Sequence, residues 1–437
     1  MSQGRLIALT ASGAALLAAT GLALVPQWHD NLNGFLAVAA LQCAVYLVAV
    51  WSVWSGGVSR RVFFGIAAAA VLLRLPVVCA PPYLSTDVYR YVWDGRVIAA
   101  GINPYRYVPA DPQLQSLRDS EIFPNINRAD SAVTIYPPLA EAIFWAVTRV
   151  SESVTAMKAA MVAFEIITFA LLTRLLAVEG LPTARVIVYA WHPLPLWEFA
   201  GSGHIDAALI ALVVTALWAA QRGRDGLAGL SLAGATLTKL YPAFLLPALF
   251  RRWGWSMPAA FVAAVIVGYL PFIGVGWRVF GFLPGYAGEE GFDAAGTGFY
   301  VLGLLRQFLP LAELNGRSYA IGAAAILVAL GAAIMVRHNA DRSPIAAATV
   351  LATIFMVLVS PHYPWYFTWL IVFACFTHSL ALLWLTTACL LLYLSPVESH
   401  IVRNDYRLAI ESMIYAPFVV LAVADLWYHR RRAIRSS

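Results

Sequence analysis

Four polar side chains within residues 85–107 are spaced so that they share one face of a helix. Asp87, Arg90, Tyr91 and Asp94 stand at positions i, i+3, i+4 and i+7. Asp87 falls in the first turn, where the helix dipole favours an ionised carboxylate. Such a carboxylate, with basic residues beside it, can act as a general base that takes a proton from a hydroxyl group. The residues support equally a helix whose Asp and Arg side chains pair for solubility.

Residues that start and stop helices mark the ends of this segment. Ser85 or Thr86 can cap its N-terminus, and Gly101 followed by Pro104 would end it. Arg96 lies on the same helix and could contact an anion. The aromatic residues around it form either a belt at the membrane interface, which is the commoner arrangement, or a platform on which sugar rings stack.

Histidine, carboxylate and lysine side chains recur further along the chain. His204 and Asp206 stand at the start of an apolar stretch, where Asp206 could equally be a helix cap. Lys239 interrupts another apolar stretch near Pro242, and a lysine at such a position is costly unless it is paired or reaches water. It could bind a phosphate group, or it could form a buried ion pair with a carboxylate such as Glu165.

A turn between two later apolar stretches carries a further candidate. His362 and Tyr363 lie between Pro361 and Pro364. The prolines restrict the backbone and so fix the direction of His362. We expect this turn to contact a phosphate or a sugar.

The composition excludes a soluble globular domain. Of the 437 residues, 61% are hydrophobic and 12% are charged, whereas an ordinary soluble domain has about 25% charged residues. The formal charge of +6 comes from short basic clusters between apolar stretches, a pattern typical of membrane proteins, and it does not indicate a nucleic-acid partner. The four cysteines lie within apolar stretches without the spacing of metal ligands.

Stretches that are apolar enough to cross a bilayer recur along the whole chain. We therefore predict an all-α integral membrane protein, a single domain over residues 1–437 with about 11–13 transmembrane helices. The basic clusters between the spans predict that both chain ends lie in the cytoplasm and that residues 81–135, 201–203, 275–317 and 360–364 face outside it. The predicted spans are 6–26, 35–54, 62–80, 158–178, 184–200, 204–220, 257–274, 318–336, 344–360, 365–378, 380–396 and 410–428.

Three stretches do not fit simple spans. Residues 81–135 form the largest polar segment, which we predict to be an external catalytic loop with interfacial helices. Residues 136–151 are predicted to form a short interfacial helix, because a full crossing would move every later basic cluster to the other side. Residues 227–250 are predicted to form a broken hairpin, which is tolerated in a membrane only beside protein or a water-filled cavity.

The order of these elements resembles that of the GT-C superfamily of membrane glycosyltransferases. Residues 62–370 resemble more specifically bacterial glycosyltransferase family 87 and, more distantly, the PIG-M type mannosyltransferases. The paired acids of the PIG-M type are reduced here to Asp87-Val88-Tyr89, so we expect no metal and no cofactor. The similar motifs are the helix 87–94, the Gly-x-x-Pro-Tyr turn 101–105, the Tyr-x-Pro-Leu element 136–139, the aromatic-His-Pro-Leu segment 191–194, and the later segments GHID, TKLYP and PHYPWY.

This resemblance implies a multi-pass cell-membrane enzyme whose active site faces outside the cytoplasm. It would move a hexose, expected to be mannose, from a polyprenyl-phosphate donor to a glycolipid or glycan acceptor, with inversion. Asp87 would be the base, and Asp94 is the second choice. The substrate-binding residues would be Lys239, His362 and Arg96 for the donor phosphate, His204, Asp206 and Tyr136 for the sugar pocket, and Arg90 and Tyr363 beside them.

A transporter or lipid flippase is the competing function. It would also be helical, with a broken hairpin and an intramembrane lysine. No repeated halves are visible in the sequence, and the polar residues concentrate on one side of the predicted membrane. Convergence of Asp87, His204, Lys239 and His362 on one cavity would favour the transferase, and scatter along a pore would favour transport.

Overall fold

The protein is helical throughout the part of the chain that the computed structural model describes, which is residues 1–29, 31–54, 56–250, 254–289, 298–309, 314–337, 343–395 and 404–436. Helices account for 78% of the structure, and the described residues contain no strand. Together with the long apolar helices, this confirms an all-α integral membrane protein. The helices long and apolar enough to cross a membrane are Gln3–Ala23, Leu32–Val53, Arg60–Cys79, Val154–Val178, Ser256–Phe280, Gly316–Arg337 and Tyr406–Tyr428.

The α-helices of seven residues or more are numbered here along the chain. They are α1 (Gln3–Ala23), α2 (Leu32–Val53), α3 (Arg60–Cys79), α4 (Asp87–Ala99), α5 (Pro138–Thr148), α6 (Val154–Val178), α7 (Asp206–Gln221), α8 (Asp225–Thr236), α9 (Ser256–Tyr269), α10 (Leu283–Glu289), α11 (Tyr300–Phe308), α12 (Gly316–Arg337), α13 (Pro344–Val359), α14 (Thr368–Ala374), α15 (Leu380–Ala388) and α16 (Asn404–Ser436).

Shorter helical turns join or extend these helices. The α-helical turns are Pro26–His29, Ile187–Ala190, Pro193–Pro195 and Leu246–Leu249. The 3₁₀ segments are Pro112–Leu117, Phe123–Asn125, Thr183–Val186, Tyr241–Leu245, Leu270–Phe280, Pro364–Phe367 and Cys389–Leu394. A single π-helical turn in the described chain covers Leu196–Gly201.

The predicted span 184–200 is wrong as one continuous helix. The helix Ile187–Ala190 stops, and the chain continues through a turn to the π-helical segment Leu196–Gly201. Pro193 and Pro195 cause the break, because neither can donate a backbone N–H to a preceding carbonyl. The His192 ring replaces one lost interaction, since its Nδ1 accepts the N–H of Leu194 at 3.1 Å.

The two stretches 136–151 and 227–250, which were predicted not to form simple spans, contact each other. Helix α5 has 11 residues, which rise about 16 Å and are too few to cross a bilayer. Helix α8 ends at Thr236, and a turn then leads into the 3₁₀ segment Tyr241–Leu245. The N–H groups of Leu139 and Ala140 both donate to the carbonyl of Leu237, which fastens the start of α5 to that turn.

Helix α4 lies unusually close to α5 at Gly95. A Cβ built at Gly95 would stand 2.5 Å from the Phe144 carbonyl oxygen and 2.7 Å from the Thr148 side chain. The Tyr91 ring stacks on Phe144 one turn away, with centroids 4.4 Å apart. This contact fixes the direction in which α4 presents its first residue, Asp87.

We expect Gly95→Ala to separate α4 from α5. The clash is with backbone, which cannot rotate away, so overpacking should cost about 1–3 kcal/mol of unfolding free energy. Thermal unfolding in detergent would measure the loss. Gly65→Ala is the matched control, because a Cβ at that helical glycine meets nothing within 4 Å. Equal stability of both variants would contradict the tight α4–α5 contact.

Candidate active site

A cavity of about 760 Å³ opens at the start of α4. Its walls come from the 81–135 segment, from the turn after α8, from α10 and from the turn after α13. The predicted site residues that line it are Asp87, Arg90, Tyr136, Lys239, His362 and Tyr363. The cavity is also lined by Asn127, Arg128, Leu240, Tyr241, Leu283, Tyr286, Phe355, Val359, Trp365, Tyr366, Leu392 and Tyr393.

Asp87 is the first residue of α4 and its carboxylate reaches the cavity. The predicted helix and its end are confirmed, since α4 covers Asp87–Ala99 and Gly101 has a positive φ of 75°. The Ser85 hydroxyl accepts the backbone N–H of Asp87 at 3.2 Å, whereas Thr86 makes no side-chain cap hydrogen bond. Asn127 donates to Oδ1 at 2.9 Å, and the Tyr136 hydroxyl lies 3.5 Å from Oδ2. The side chain keeps 23% exposure, so the carboxylate is held in place and still accessible to a substrate hydroxyl.

His204 lies directly behind Asp87, outside the cavity lining. Its Nε2 is 3.8 Å from Asp87 Oδ2, and its Nδ1 is 3.0 Å from Oε2 of Glu198. The ring is fully buried against Trp365, with centroids 4.2 Å apart. Neither ring nitrogen has a well-aligned hydrogen-bond partner among the described residues, so these are close approaches between charged or polar groups.

Lys239 is paired with Asp206 and not with Glu165. Its Nζ lies 2.7 Å from Asp206 Oδ2 and 4.6 Å from the centre of the Tyr366 ring. The Tyr241 hydroxyl donates to the other Asp206 oxygen at 3.2 Å. Asp206 is fully buried whereas the Lys239 side chain is 13% exposed. The cation therefore faces the cavity, and its carboxylate partner stands behind it.

Glu165, the alternative partner, forms a separate buried ion pair. Its two oxygens accept from Arg74 at 2.6 and 2.9 Å, joining α3 to α6. This pair does not line the cavity, so it is a purely structural ion pair.

Asp94 and Arg90 form an ion pair, as the alternative interpretation of α4 expected, but the pair is buried and does not serve solubility. Arg90 Nε donates to both Asp94 oxygens at 2.8 and 3.0 Å, and Arg90 Nη1 donates to the Ala132 carbonyl. Asp94 is 1% exposed and does not line the cavity. The geometry therefore leaves Asp87 as the carboxylate on α4 that can meet a substrate.

Glu141 of α5 joins this buried cluster. Thr134 donates to its Oε1 at 2.6 Å. Burial, with the nearby Asp94 carboxylate, raises the pKa of Glu141 well above its ordinary value. The folded protein therefore retains a proton that the unfolded chain loses near pH 4–5, and stability falls as pH rises through that range until the folded pKa is reached.

We expect Glu141→Gln to remove this pH dependence. Glutamine resembles the protonated acid, so the variant should match wild type near pH 4 and unfold at a higher temperature than wild type at pH 9. Thermal unfolding in detergent across this range measures the effect. Glu121→Gln changes an exposed residue of the 81–135 segment, and its stability should vary with pH as that of wild type does. A Glu141→Gln curve parallel to wild type would contradict the raised pKa.

His362 and Tyr363 form part of the cavity wall on the turn after α13. Ser360, which precedes them, has a positive φ of 47°, one of two non-glycine residues of the described chain with such backbone strain. Burial, with the charge of Arg407, lowers the pKa of His362 to about 3. His362 is therefore neutral near pH 7 and can offer a hydrogen bond but no charge. Tyr363 stacks on Trp365 at 4.2 Å.

Arg96 is placed away from the cavity. Its guanidinium binds Asp119 at 2.6 Å and Glu152 at 2.8 Å. Asp119 also accepts the backbone N–H groups of residues 121–123, and these contacts lower its pKa. Arg96 thus ties the end of α4 to the loop around it.

The second strained residue, Arg128, lines the cavity and was missed from the sequence. Its φ is 52°, and its guanidinium makes a bidentate pair with Glu289 of α10 at 2.7 and 2.8 Å. Both side chains are about one-third exposed at the cavity rim. The sequence around Arg128 has no motif that would have singled it out. Glu198 was also missed, although a carboxylate in an apolar stretch is a recognisable signal of function.

The described residues contain no group of three or more His, Cys, Asp or Glu side chains arranged to hold a metal ion. The expectation that the reaction needs no metal stays a prediction.

Comparisons with known proteins place the chain in a family. Residues 3–255 match the family model of the MptA_B family, described as the N-terminal domain of α-(1→6)-mannopyranosyltransferases. The match contains α4, Asp87, the Glu198–His204 turn and Lys239. No curated protein and no solved structure gives a significant match. The particular likeness to family 87 and to the PIG-M type stays a prediction. Since the match covers more than half of its residues, the chain belongs to the MptA_B family and is a membrane glycosyltransferase.

Proposed function

We propose that the protein transfers mannose from a polyprenyl monophosphate to a hydroxyl of a glycan or glycolipid acceptor, with Asp87 as general base. The observation that carries this proposal is the cavity itself, in which the Asp87 carboxylate shares one space with Lys239 and Arg128. An inverting transfer needs this combination, a base for the acceptor and positive charge for the leaving phosphate.

The proposed reaction is a single displacement. Asp87 takes the proton of the acceptor hydroxyl as the acceptor oxygen bonds to the anomeric carbon. The bond from that carbon to the phosphate oxygen breaks, and the electron pair leaves with polyprenyl phosphate. Lys239 and Arg128 stabilise the charge that develops on the phosphate. One displacement inverts the anomeric configuration.

The choice of a polyprenyl donor is supported by the apolar part of the cavity wall. A nucleotide sugar would need polar partners for its base and ribose, whereas an isoprenoid chain needs only apolar contact. The apolar side chains that line this part are Leu240, Leu283, Phe355, Val359 and Leu392.

The description of the family supports the choice of acceptor. An α-(1→6)-mannopyranosyltransferase forms its bond to a 6-hydroxyl, so we propose a mannose-containing lipid or glycan as acceptor. The segments that form the cavity include 81–135, residues of 275–317 and the turn at 360–364, all of which the charge pattern assigns to the side away from the cytoplasm. We therefore propose that transfer occurs there, at the cell membrane.

The transporter alternative predicts polar residues scattered along a pore. Asp87, Lys239 and His362 instead line one cavity, and His204 lies behind Asp87. Reconstitution into sealed vesicles with radiolabelled polyprenyl-phosphate mannose and a mannoside acceptor in the bilayer separates the two functions. A labelled mannoside product supports the transferase. Movement of intact donor between leaflets, with no new product, would support transport instead.

The donor proposal can be tested in the same preparation. We expect label to move to the acceptor from polyprenyl-phosphate mannose and not from nucleotide-linked mannose at the same concentration. Transfer from the nucleotide sugar alone would contradict the donor assignment while leaving the enzyme a mannosyltransferase. Arg128→Gln should raise the KM for the lipid donor, because a contact of about 1.5–3 kcal/mol with a charged group is lost.

A further inference from the structure

We propose that Glu198 and His204 form a buried positioning pair that holds Asp87 ready to accept a proton. This inference rests on the proposed function, since it takes Asp87 as the base. Glu198 would position the base through His204. His204 would contact Asp87 from behind the cavity and would not line the predicted sugar pocket.

Burial separates these two residues from any substrate. Glu198 and His204 have no exposed side-chain surface, and neither lines the cavity. A pair of polar side chains in such surroundings is costly unless it is compensated. The polar group of the cavity that His204 approaches is Asp87, through the 3.8 Å contact between Nε2 and Oδ2. The pair can therefore influence the reaction through Asp87.

The backbone is shaped to bring the pair to α4. Glu198 lies in the π-helical turn Leu196–Gly201, a rare conformation that is frequent at functional sites. The chain then reverses at Gly203, whose φ is 73°, and the N–H of His204 donates to the Glu198 carbonyl at 2.9 Å. A Cβ at Gly203 would lie 2.9 Å from the side chain of Val88, so this turn packs directly on the residue after Asp87.

The two ring nitrogens face two carboxylates. Nδ1 is 3.0 Å from Glu198 Oε2, and Nε2 is 3.8 Å from Asp87 Oδ2. The buried ring therefore stands between Glu198 and Asp87 and restrains the position of the Asp87 carboxylate.

Other contacts fix the pair in place. Trp365 covers the face of the His204 ring, and the Tyr393 hydroxyl donates to Glu198 Oε1 at 2.6 Å. Tyr393 reaches the cavity, so it joins the buried pair to the space that the substrate occupies.

The test compares Glu198→Gln with Glu165→Gln. Both replace a fully buried carboxylate by an isosteric amide, but Glu165 pairs with Arg74 away from the cavity. We expect Glu198→Gln to lower kcat about 10- to 100-fold, part of a general base's contribution, with the KM for the donor unchanged. Glu165→Gln should keep the wild-type kcat and KM.

Tyr393→Phe keeps the inference testable if Glu198→Gln does not fold. It removes the 2.6 Å hydrogen bond and keeps the carboxylate, so we expect a smaller loss of kcat. Asp87→Asn in the same assay distinguishes the two proposals. An active Asp87→Asn would overturn the assignment of the base. An inactive Asp87→Asn, with Glu198→Gln or Tyr393→Phe at wild-type kcat, would overturn the positioning pair alone.

Discussion

Asp87→Asn is expected to abolish most transfer while the protein still folds and inserts. The amide can keep the contact with Asn127 by rotating, since Asn127 donates to Oδ1 at 2.9 Å and an amide oxygen also accepts. It cannot take a proton from the acceptor. Loss of a general base lowers kcat by about 10²- to 10⁴-fold, and donor binding should change little, because the proposed phosphate contacts lie on Lys239 and Arg128.

Asp130→Asn is the matched control for this variant. Asp130 lies with Asp87 in the 81–135 segment, and it is exposed and does not line the cavity. Its replacement by Asn is the same chemical change. We expect it to retain wild-type kcat in purified protein. Wild-type transfer by Asp87→Asn would contradict the central assignment. Equal losses in both variants would mean that the segment tolerates no change, and Asp87 would have no special role.

Lys239 and Asp206 should show a large structural effect that can be separated from the catalytic one. Lys239→Gln leaves the fully buried Asp206 without its cation, and breaking a buried pair in this way costs about 3–5 kcal/mol of unfolding free energy. Asp206→Asn leaves Lys239 without its carboxylate. The double variant removes both charges, so its stability should recover towards that of wild type.

Transfer should not recover in the double variant. The proposed role of Lys239 is to stabilise the leaving phosphate, and that charge is absent in the double variant as in Lys239→Gln. Thermal unfolding and kcat measured on the four proteins separate the two roles. The Arg74→Gln and Glu165→Gln variants provide a reference, because that pair should affect stability without lowering kcat. Recovery of both stability and transfer would assign Lys239 to structure only.

The sequence predicted the all-α membrane class correctly, because hydropathy records the solvent that each helix faces. The helices α1, α2, α3 and α6 lie within a few residues of the predicted spans. The prediction of one helix over 184–200 was wrong for a local reason. It rested on the apolar composition of the segment, whereas Pro193 and Pro195 interrupt the helix. The helix at Asp87 was predicted from its capping residues and from Gly101, and those are local signals as well.

The site was predictable where a costly residue stood in an apolar stretch, and less so elsewhere. Lys239 stood out for that reason, and the structure places it in the cavity wall with Asp87 and His362. Arg96 and Arg128 have the same charge and both lie in the 81–135 segment, so only tertiary folding decides which of them lines the cavity. Arg96 pairs with Asp119 and Glu152, whereas Arg128 reaches the cavity. The partner of Lys239 likewise depends on how α7 meets the turn after α8.

The most direct test is a mass balance on the purified wild-type protein in nanodiscs. Polyprenyl-phosphate mannose labelled in the sugar is supplied with a mannoside acceptor, and labelled product and free polyprenyl phosphate are quantified together. We predict that they form in equal amounts, with the new bond to the acceptor 6-hydroxyl and the opposite anomeric configuration from the donor. Release of polyprenyl phosphate without glycoside, or no reaction while the donor is bound, would contradict the proposed transfer.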